Sequence, residues 1–236
     1  MNGVAMLALQ SVDTALEAVA NRRPRLPELA AHRAATDAMQ QWKARTAAVQ
    51  QRIAAAQAAI DAAEAGAQEI TTKRSRLEAQ LKTVIAPREA EALMNQIATL
   101  NAQRSELDDQ ELEALEQQAV AEAELAELAT QEADLESAVS AAAAELAVAT
   151  AALDDEAASL AAQREVAVAA LSSDELAAYD RGRSHHGGVA VAALDGKRCS
   201  GCHLDLSPAE LDQVKAVPAG DTAECPQCSR FLVRVP

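Results

Sequence analysis

The chain has 236 residues and is 50% hydrophobic, but only 1% of its residues are aromatic, and alanine supplies much of the apolar fraction. Because a large globular core needs bulky side chains, this composition argues against such a core and favours extended helices and coiled coils. The formal net charge of −15 argues against nucleic-acid binding along the whole chain, since such binding depends on cationic side chains that release counterions.

The first 20 residues contain a short amphipathic pattern that ends before Pro24. Its apolar positions alternate at spacings of three and four: Leu9, Val12, Leu16 and Val19. The spacing predicts a short N-terminal helix that packs beside the last turns of a later helix, with a frayed terminus as the alternative. Asp13 and Glu17 interrupt the segment and no early basic residue precedes them, so we do not predict a signal peptide.

The clearest periodicity of the chain runs from Met39 to Val84. Alternating steps of three and four give Met39, Trp42, Thr46, Val49, Ile53, Ala56, Ile60, Ala63, Ala67, Ile70, Arg74, Leu77, Leu81 and Val84. Only Thr46 and Arg74 break this apolar row. Such a narrow stripe must be covered by another helix, which is the heptad signal of a coiled coil.

A second, alanine-rich seam follows. One heptad position holds Leu125, Glu132, Val139, Leu146, Leu153, Leu160 and Ala167, and the other holds Leu128, Leu135, Ala142 and Ala149. Upstream, Leu93, Leu100 and Leu107 form a row whose offset from Leu125 is not a multiple of seven, so we expect a local stutter between them. The most apolar stretch, residues 137–153, is mostly alanine and contains Glu145, so we predict no membrane span.

Pro87 separates the two seams. Proline breaks a helix interior but is tolerated at a first helical position, so we predict a turn near residues 86–88. The first long helix should run from about Glu28 to Ile85 and the second from Pro87 to about Ala170. The two helices would then fold back on each other as a long antiparallel coiled-coil hairpin.

The pattern changes after Leu171. Ser172 and Glu175 form a capping box that predicts a short helix ending near Gly182. Residues 181–188 then read as a flexible, mildly basic joint, and residues 189–194 as a strand. We therefore predict two domains, a helical hairpin with its short N-terminal helix over residues 1–180 and a small domain over residues 181–236.

The four cysteines of the chain form two CxxC pairs. Cys199 and Cys202 make the first pair, and Cys225 and Cys228 make the second, with 22 residues between the pairs. Two such turns can together present four thiolates in the tetrahedral arrangement that structural zinc sites use. The spacing therefore predicts a site for one structural Zn²⁺ ion.

Other readings of the cysteines remain open. Two disulfides would need an oxidising compartment, and nothing in the sequence directs export, so we expect a cytoplasmic protein with reduced thiols. A redox-active CxxC normally stands alone in an α/β context, whereas this chain has two. His203 follows a cysteine directly and could replace a ligand, but four cysteines already complete the shell.

The tail has few bulky residues, so metal binding would supply much of its folding free energy. Ser207 to Glu210 reads as a capping box with Pro208 at the first helical position, which predicts a helix of about two turns. Residues 231–235 read as a closing strand. The predicted fold is therefore mainly α, a long antiparallel coiled-coil hairpin with a small C-terminal zinc ribbon of short strands and one short helix.

The sequence resembles a bacterial family in which a coiled-coil hairpin precedes a C4-type zinc ribbon. Its N-terminal helix and joint resemble residues 9–13 and 26–28, and the stretch after its hairpin tip resembles residues 104–113. Its ribbon entry and second knuckle resemble residues 179–181, 187–188 and 225–230. The family usually has glycine after the last cysteine, where this chain has Ser229, which puts the shape of that knuckle in question but not the ligand set.

The resemblance implies a non-enzymatic protein, and it links some members to transcript handling or to sigma-factor binding in flagellated or chlamydial bacteria. The alanine-rich, arginine-over-lysine composition resembles that of a high-GC actinobacterium. These partner roles are expectations here, carried by the resemblance alone.

Two functions compete. In the first, an adaptor binds RNA, DNA or a transcription or translation component through the ribbon or its basic joint, and its hairpin docks a protein partner. Residues 181–236 contain seven Lys or Arg and six Asp or Glu. The candidate residues are Arg181, Arg183, His185, His186, Lys197, Arg198 and Arg230. The alternative for this group is an ordinary solvated surface, and sparse aromatics argue against base stacking.

The second function is a protein-interaction rod without nucleic-acid binding, whose hairpin pairs with another protein or with itself as a homodimer. A third function, catalysis, has little support. None of the four histidines lies in a recognisable catalytic motif, and zinc held by four thiolates has no open position for water or substrate.

Overall fold

The computed structural model describes residues 1–234, which are mainly helical. The helices are α1 (Gly3–Arg22), α2 (Pro27–Leu81), α3 (Pro87–Ala169), α4 (Ser173–His185) and α5 (Pro208–Lys215). The strands are β1 (Val191–Asp195), β2 (Arg198–Cys199), β3 (Thr222–Glu224) and β4 (Phe231–Val233). The predicted long helical hairpin and the small domain of short strands with one short helix are confirmed, although Val235 of the predicted closing strand lies outside the described residues.

The chain divides into two compact units. The hairpin unit comprises His32–Ala142, and the ribbon unit comprises Met1–Ala31 together with the chain from Ala143 onward. This division differs from the sequence-based one at residue 180, because α1, the last part of α3 and α4 all pack within the ribbon unit. Hydrophobic periodicity along one helix could not reveal that packing.

The hairpin unit consists of the paired parts of α2 and α3. Every member of the predicted row from Met39 to Val84 is buried or half-buried, including Thr46 and Arg74. Trp42 donates its indole N–H to the carbonyl of Leu128 in α3 at 2.9 Å. These observations confirm that a heptad seam of α2 faces α3.

Ion pairs and side-chain hydrogen bonds fix the antiparallel register of the hairpin unit. Arg45 and Arg52 of α2 both contact Glu124 of α3, each at 2.7 Å. Near the tip, Arg104 donates to the hydroxyl of Thr71 at 2.9 Å. Residue numbers thus rise along one helix as they fall along the other.

The predicted stutter in α3 is wrong. The row of Leu100 and Leu107 continues at exact seven-residue steps through Ala114 and Ala121 to Leu128, and these last three residues are 5%, 0% and 2% exposed. The prediction compared Leu107 with Leu125, which occupies the other heptad position. Ala114 and Ala121 occupy the seam positions between Leu107 and Leu128, where the row has no large apolar residue.

The connection at the hairpin tip is a short non-helical segment. Helix α2 ends at Leu81 instead of near Ile85, and Pro87 is the first residue of α3, as predicted. The carbonyl of Ala86 accepts from the N–H groups of Glu89 and Ala90, both at 3.1 Å, which starts the new helix.

The ribbon unit contains a four-stranded sheet in the order β2-β1-β4-β3. Strands β1 and β4 run parallel, while β1–β2 and β3–β4 are antiparallel pairs. One face of the sheet packs on α1, α4 and the end of α3 through a shared core. Its buried members are Met6, Leu9, Tyr179, Ala190, Val191 and Val233.

Helix α1 is therefore an integral part of the ribbon unit. A Cβ atom on Gly3 would lie 2.7 Å from the Val233 side chain and 2.8 Å from the carbonyl oxygen of Gly220, so only glycine allows this approach. The predicted packing beside the end of α3 is confirmed by the contact of Arg22 with Glu156 at 2.5 Å. The packing directly against the sheet was not predicted.

The predicted end of α4 near Gly182 is wrong. The capping box of Ser172 and Glu175 is present, but the helix continues to His185. A Cβ atom on Gly182 would lie 3.0 Å from the Cβ atom of Ala190, so this glycine serves close helix–strand packing instead of ending the helix. The end comes at Gly187 and Gly188, whose φ angles are 62° and 95°.

Two stretches, one within Gly3–Leu81 and one in α3, are long and apolar enough to cross a membrane by length and composition alone. Core helices of soluble proteins meet the same criterion, and α3 is rich in alanine. The absence of a membrane span therefore stays a prediction.

Candidate metal centre

The four cysteines lie in two turns, one after β2 and one between β3 and β4. Cys199 is the last residue of β2, and Cys202 lies in the turn after it. Cys225 follows β3, and Cys228 lies shortly before β4. The backbone N–H of Ser200 donates to the carbonyl of Ala193, so the first turn lies beside β1, while the second turn directly precedes β4. Because β1 and β4 are adjacent parallel strands, the two turns lie close together, and the four sulfur atoms lie within 4.8 Å of one another.

The two turns share one backbone conformation. In the first, the N–H of His203 donates to the carbonyl of Cys199 at 2.9 Å, and in the second the N–H of Ser229 donates to the carbonyl of Cys225 at 2.8 Å. His203 and Ser229 have φ angles of 60° and 59°, and they are the two non-glycine residues with positive φ within residues 1–234. Each of these two residues directly follows the second cysteine of its turn. A left-handed, strained residue at that position is therefore a feature of this type of CxxC turn.

Positive φ at Ser229 predicts that glycine would improve the site. A non-glycine residue in the left-handed region costs roughly 1–2 kcal/mol, which the extra chain entropy of glycine offsets only in part. Because metal binding and folding are coupled, we expect Ser229→Gly to raise zinc affinity about fivefold in a competition titration with a chromophoric chelator.

The matched control for this change is Ser184→Gly in the helical backbone of α4, which should leave zinc affinity unchanged or lower it slightly. Ser229→Val should weaken binding, because a β-branched residue tolerates positive φ poorly. Equal affinities for Ser229→Gly, Ser229→Val and the unaltered chain would contradict a strained backbone at this position.

The sulfur atoms are part of a small apolar core. Cys199 and Cys225 are fully buried, and Cys202 and Cys228 are half-buried. The buried cluster around them is completed by Ala192, Leu206, Val214 and Leu232. Helix α5 covers this side of the sheet through Val214, and its predicted capping box between Ser207 and Glu210 is present.

The thiols differ in acidity. Burial raises the pKa of Cys225 to about 12, and it also raises the pKa of Cys202. Burial acts in the same direction on Cys228, but hydrogen bonds from the backbone and side chain of Arg230 outweigh it and lower its pKa to about 7. A cation held by all four sulfurs must displace protons from these thiols, so its binding weakens as pH falls.

The residues fit a tetrahedral zinc ion. Zn–S bonds of about 2.3 Å place the four sulfurs of such a site about 3.8 Å apart, which the observed spread of up to 4.8 Å accommodates. The four cysteines are free thiols in the structure, not paired as disulfides. His203 is exposed and lies outside this group, so the group that could hold an ion consists of the four cysteines.

Four of the seven predicted basic candidates bind partners inside the ribbon unit. Arg183 contacts Asp13 at 2.9 Å and also pairs with Glu17. Arg230 donates to the carbonyls of Val189 and His186 at 2.9 and 3.1 Å.

The other two of these four, Lys197 and Arg198, directly precede Cys199. Arg198 donates to the carbonyl of His203 at 2.8 Å, and Lys197 contacts Asp205 at 3.0 Å. Arg183 and Arg230 are half-buried and engaged by their contacts, whereas Lys197 and Arg198 have partners but are exposed.

The remaining three candidates lie together. Arg181, His185 and His186 line a cavity of about 300 Å³ between α4 and the second cysteine turn, with Ser229 and Phe231 on the opposite side. Their spacing along α4 places Arg181 and His185 on one helix face. The structure therefore brings together three of the seven residues that the sequence grouped.

The structure also reveals a buried polar cluster that the sequence analysis missed. Asp13 of α1 is 2% exposed and accepts from Arg164 at 2.7 Å, from Arg183 at 2.9 Å and from the hydroxyl of Tyr179 at 2.8 Å. Burial and the bond to Asp13 raise the pKa of Tyr179 well above its usual range, so the hydroxyl remains a donor. These contacts tie together α1, α3 and α4.

Gln10, one turn before Asp13, extends this cluster to the sheet. Its side-chain carbonyl accepts from the N–H of Ala190 at 2.7 Å, and its amide donates to the carbonyl of Gly188 at 2.9 Å. The only signal in the sequence was that Asp13 interrupts an apolar helix. A buried aspartate needs partners, but nothing in the local sequence identifies residues more than 150 positions away.

These features define a class, a helical coiled-coil hairpin protein with a four-cysteine ribbon. The chain belongs to the CT398-like coiled coil hairpin family, whose domain matches residues 9–187. Residues 198–232 match the C4-type zinc ribbon domain. The resemblance noted from the sequence is thereby confirmed.

Relatives of similar length support this assignment. Uncharacterized protein Rv2229c and uncharacterized protein MT2288, from two strains of Mycobacterium tuberculosis, are each 27% identical over 98% of this chain and 94% of their own length. The solved structure of CT398 from Chlamydia trachomatis superposes with a TM-score of 0.83 at 22% identity, over 98% of this chain and 96% of that one.

The HP0958 protein from Helicobacter pylori superposes with a TM-score of 0.64 at 13% identity, over 99% of this chain and 98% of that one. At these identities the two structural likenesses establish the fold alone.

Proposed function

We propose that this protein is a non-enzymatic cytoplasmic adaptor whose ribbon is held in shape by one structural Zn²⁺ ion and whose helices bind a protein partner. The observation that carries the proposal is the closed cluster of four cysteine sulfurs within 4.8 Å on two matching turns. Four thiolates saturate a tetrahedral ion and leave no position for water or substrate.

The structural role of the ion follows from what surrounds it. When bound, zinc supplies a cross-link between the turn after β2 and the turn before β4. Cys199 and Cys225 would hold it from inside the apolar cluster, and Cys202 and Cys228 from its edge. A sheet with strands of two to five residues needs such a cross-link to remain folded.

A protein partner fits the charges better than nucleic acid does. Arg183, Lys197, Arg198 and Arg230 already have partners in the ribbon unit, and residues 1–180 carry a net charge of −16. The family likeness suggests a component of the transcription or translation machinery, such as a sigma factor, as this partner. A homodimer formed through the hairpin is the other protein-binding possibility.

A second candidate function is nucleic-acid contact at the cavity beside the second cysteine turn. Arg181, His185 and His186 place cationic groups there, and Phe231 contributes an aromatic ring. A phosphate with its adjoining base has suitable chemistry for this cavity. This function needs only a small surface and is compatible with an acidic helical region.

A salt titration separates the two functions. The zinc-loaded full chain would be mixed with labelled single-stranded RNA and duplex DNA at about 50 and 200 mM salt. The protein-binding adaptor predicts no binding at either salt concentration.

Binding that falls at least about tenfold at the higher salt, and that is lost in Arg181→Ala/His185→Ala, would instead support nucleic-acid contact. The matched control is Lys215→Ala, which removes a basic residue at the end of α5, outside the residues that line the cavity.

A further inference from the structure

The acidic charge of the hairpin unit is concentrated on α3. Between Ser105 and Ala142, this helix contains 12 Asp or Glu and no Lys or Arg. Between His32 and Leu81, α2 contains five Asp or Glu and seven Lys or Arg. The two helices of the hairpin unit therefore present different electrostatic surfaces.

A groove of about 600 Å³ lies between α2 and α3 in this acidic stretch. Ala55, Ala56 and Ala59 of α2 form its floor, and Glu113, Glu116 and Val120 of α3 form its wall. Alanine side chains end at Cβ, so the surface is recessed where three of them adjoin. The recess has an apolar floor and an acidic rim.

The charges on this rim are not neutralised. Arg52 also lines the groove, but its guanidinium contacts Glu124 at 2.7 Å. Glu113 accepts from the neutral amide of Gln117 at 3.2 Å. Within residues 1–234, neither Glu113 nor Glu116 forms an ion pair, so the rim has a net negative charge.

One exposed apolar side chain lines the groove, that of Val120 in its wall, which is 63% exposed. Leu112 and Leu115 of the same helix are also exposed, at 60% and 42%, but they lie outside the residues that line the groove. Large aliphatic groups on the outside of a coiled coil gain free energy when a partner covers them.

We propose that this groove binds a basic amphipathic helix of a partner protein. Apolar side chains of that helix would lie on the alanine floor and against Val120, while its Lys or Arg residues would reach Glu113 and Glu116. This inference rests on the proposed adaptor function and specifies the chemistry of its partner.

Charge complementarity selects this occupant over others. A second copy of the chain would bring another acidic α3, and like charges at a shared interface are repulsive. Nucleic acid would place phosphates against the glutamates of the rim. An amphipathic helix has apolar side chains that match the alanine floor and basic side chains that match the acidic rim.

The test uses a defined probe, a fluorescein-labelled synthetic helical peptide of about 18 residues made of leucine and lysine at amphipathic spacing. Its binding to the zinc-loaded full chain would be measured by fluorescence anisotropy at about 100 mM salt, where the Debye length is about 10 Å and more distant exposed charges are largely screened. We expect Glu113→Lys/Glu116→Lys to weaken binding at least about tenfold. A peptide of the same design with glutamate in place of lysine should not bind.

The matched control is Glu132→Lys/Glu136→Lys, which changes the net charge equally at two exposed residues of the same helix, outside the groove. It should weaken binding less than about twofold. Ala59 is an exposed residue of α2, and Ala59→Gln would fill the floor of the groove without changing the charge. This variant should weaken peptide binding several-fold.

Equal losses in the two charge-reversed variants, or unaltered binding by Ala59→Gln, would overturn the groove proposal, as would absence of peptide binding at that salt concentration. None of these results would test the adaptor function itself. The nucleic-acid titration and the zinc content of the ribbon test that function separately.

Discussion

Replacing Cys225 by serine is expected to abolish stoichiometric zinc binding and to unfold the four-stranded sheet. The expected cost is on the order of 5–10 kcal/mol, because the binding free energy of a structural zinc ion is largely folding free energy. The cluster around the site has six buried residues, and two of them are the ligands Cys199 and Cys225. Without the ion, this cluster lacks the apolar area to hold the sheet.

Zinc content and hydrogen exchange together measure this effect. Mass spectrometry of the purified, reduced protein should find one zinc ion per chain, and Cys225→Ser should retain much less. Amide protection of Val191–Asp195 and Phe231–Val233 should be lost both in this variant and in the unaltered chain treated with a strong chelator. Helix α1 should lose protection too, because Met6 and Leu9 pack on the same sheet.

The matched control is Gln227→Ser, which alters the exposed middle of the same turn and keeps all four sulfurs. It should retain one zinc ion and full protection of the sheet. Trp42 reports on the hairpin unit, and its fluorescence should not change in either variant. A sheet that stays protected under chelation would show that the ribbon folds without metal.

Replacing Asp13 by alanine is expected to destabilise the packing of α1 by about 3 kcal/mol. The change removes the shared acceptor of Arg164, Arg183 and Tyr179, whose donors would then lie at a buried site without their partner. The two arginine side chains are 37% and 25% exposed, so water relieves part of the cost. Asp13→Asn keeps the shape and should cost less.

Native-state hydrogen exchange of the α1 amides measures this loss, since it reports the free energy of local opening. The control is Asp180→Ala, which removes an exposed carboxylate adjacent to Tyr179 and should change the opening free energy by less than about 0.5 kcal/mol. Tyr179→Phe removes one of the three hydrogen bonds and should cost about 1 kcal/mol. Equal effects of Asp13→Ala and Asp180→Ala would contradict a structural role for the buried cluster.

Features with a short repeat or a local cause were predictable. The seam from Met39 to Val84 depends only on alternating steps of three and four, and every member is buried or half-buried as expected. Pro87 at the first position of α3 and the capping boxes at Ser172 and Ser207 are equally local, because each is satisfied within one helical turn. The grouping of the four cysteines in two turns was predictable for the same reason, since each CxxC turn forms its geometry within a few residues.

Errors arose where one residue type has two physical uses. Gly182 was expected to end α4, but it allows close contact with Ala190, and glycine suits both purposes because it lacks Cβ. The predicted rows did not include Ala114 and Ala121, yet both are buried in the seam of α3. Composition cannot tell these uses apart, because the deciding neighbour lies on another element.

The sequence by itself determined the helical hairpin, the two cysteine pairs and the uneven charge, because these follow from periodicity, spacing and composition. Only the tertiary structure decided that α1 packs on the sheet, that Asp13 draws Arg164 and Arg183 inward, and that Ala55, Ala56 and Ala59 form the floor of an acidic groove. The physical reason is distance along the chain. Packing and ion pairing between residues far apart in sequence depend on how whole helices and strands pack together, and a local sequence pattern does not encode that packing.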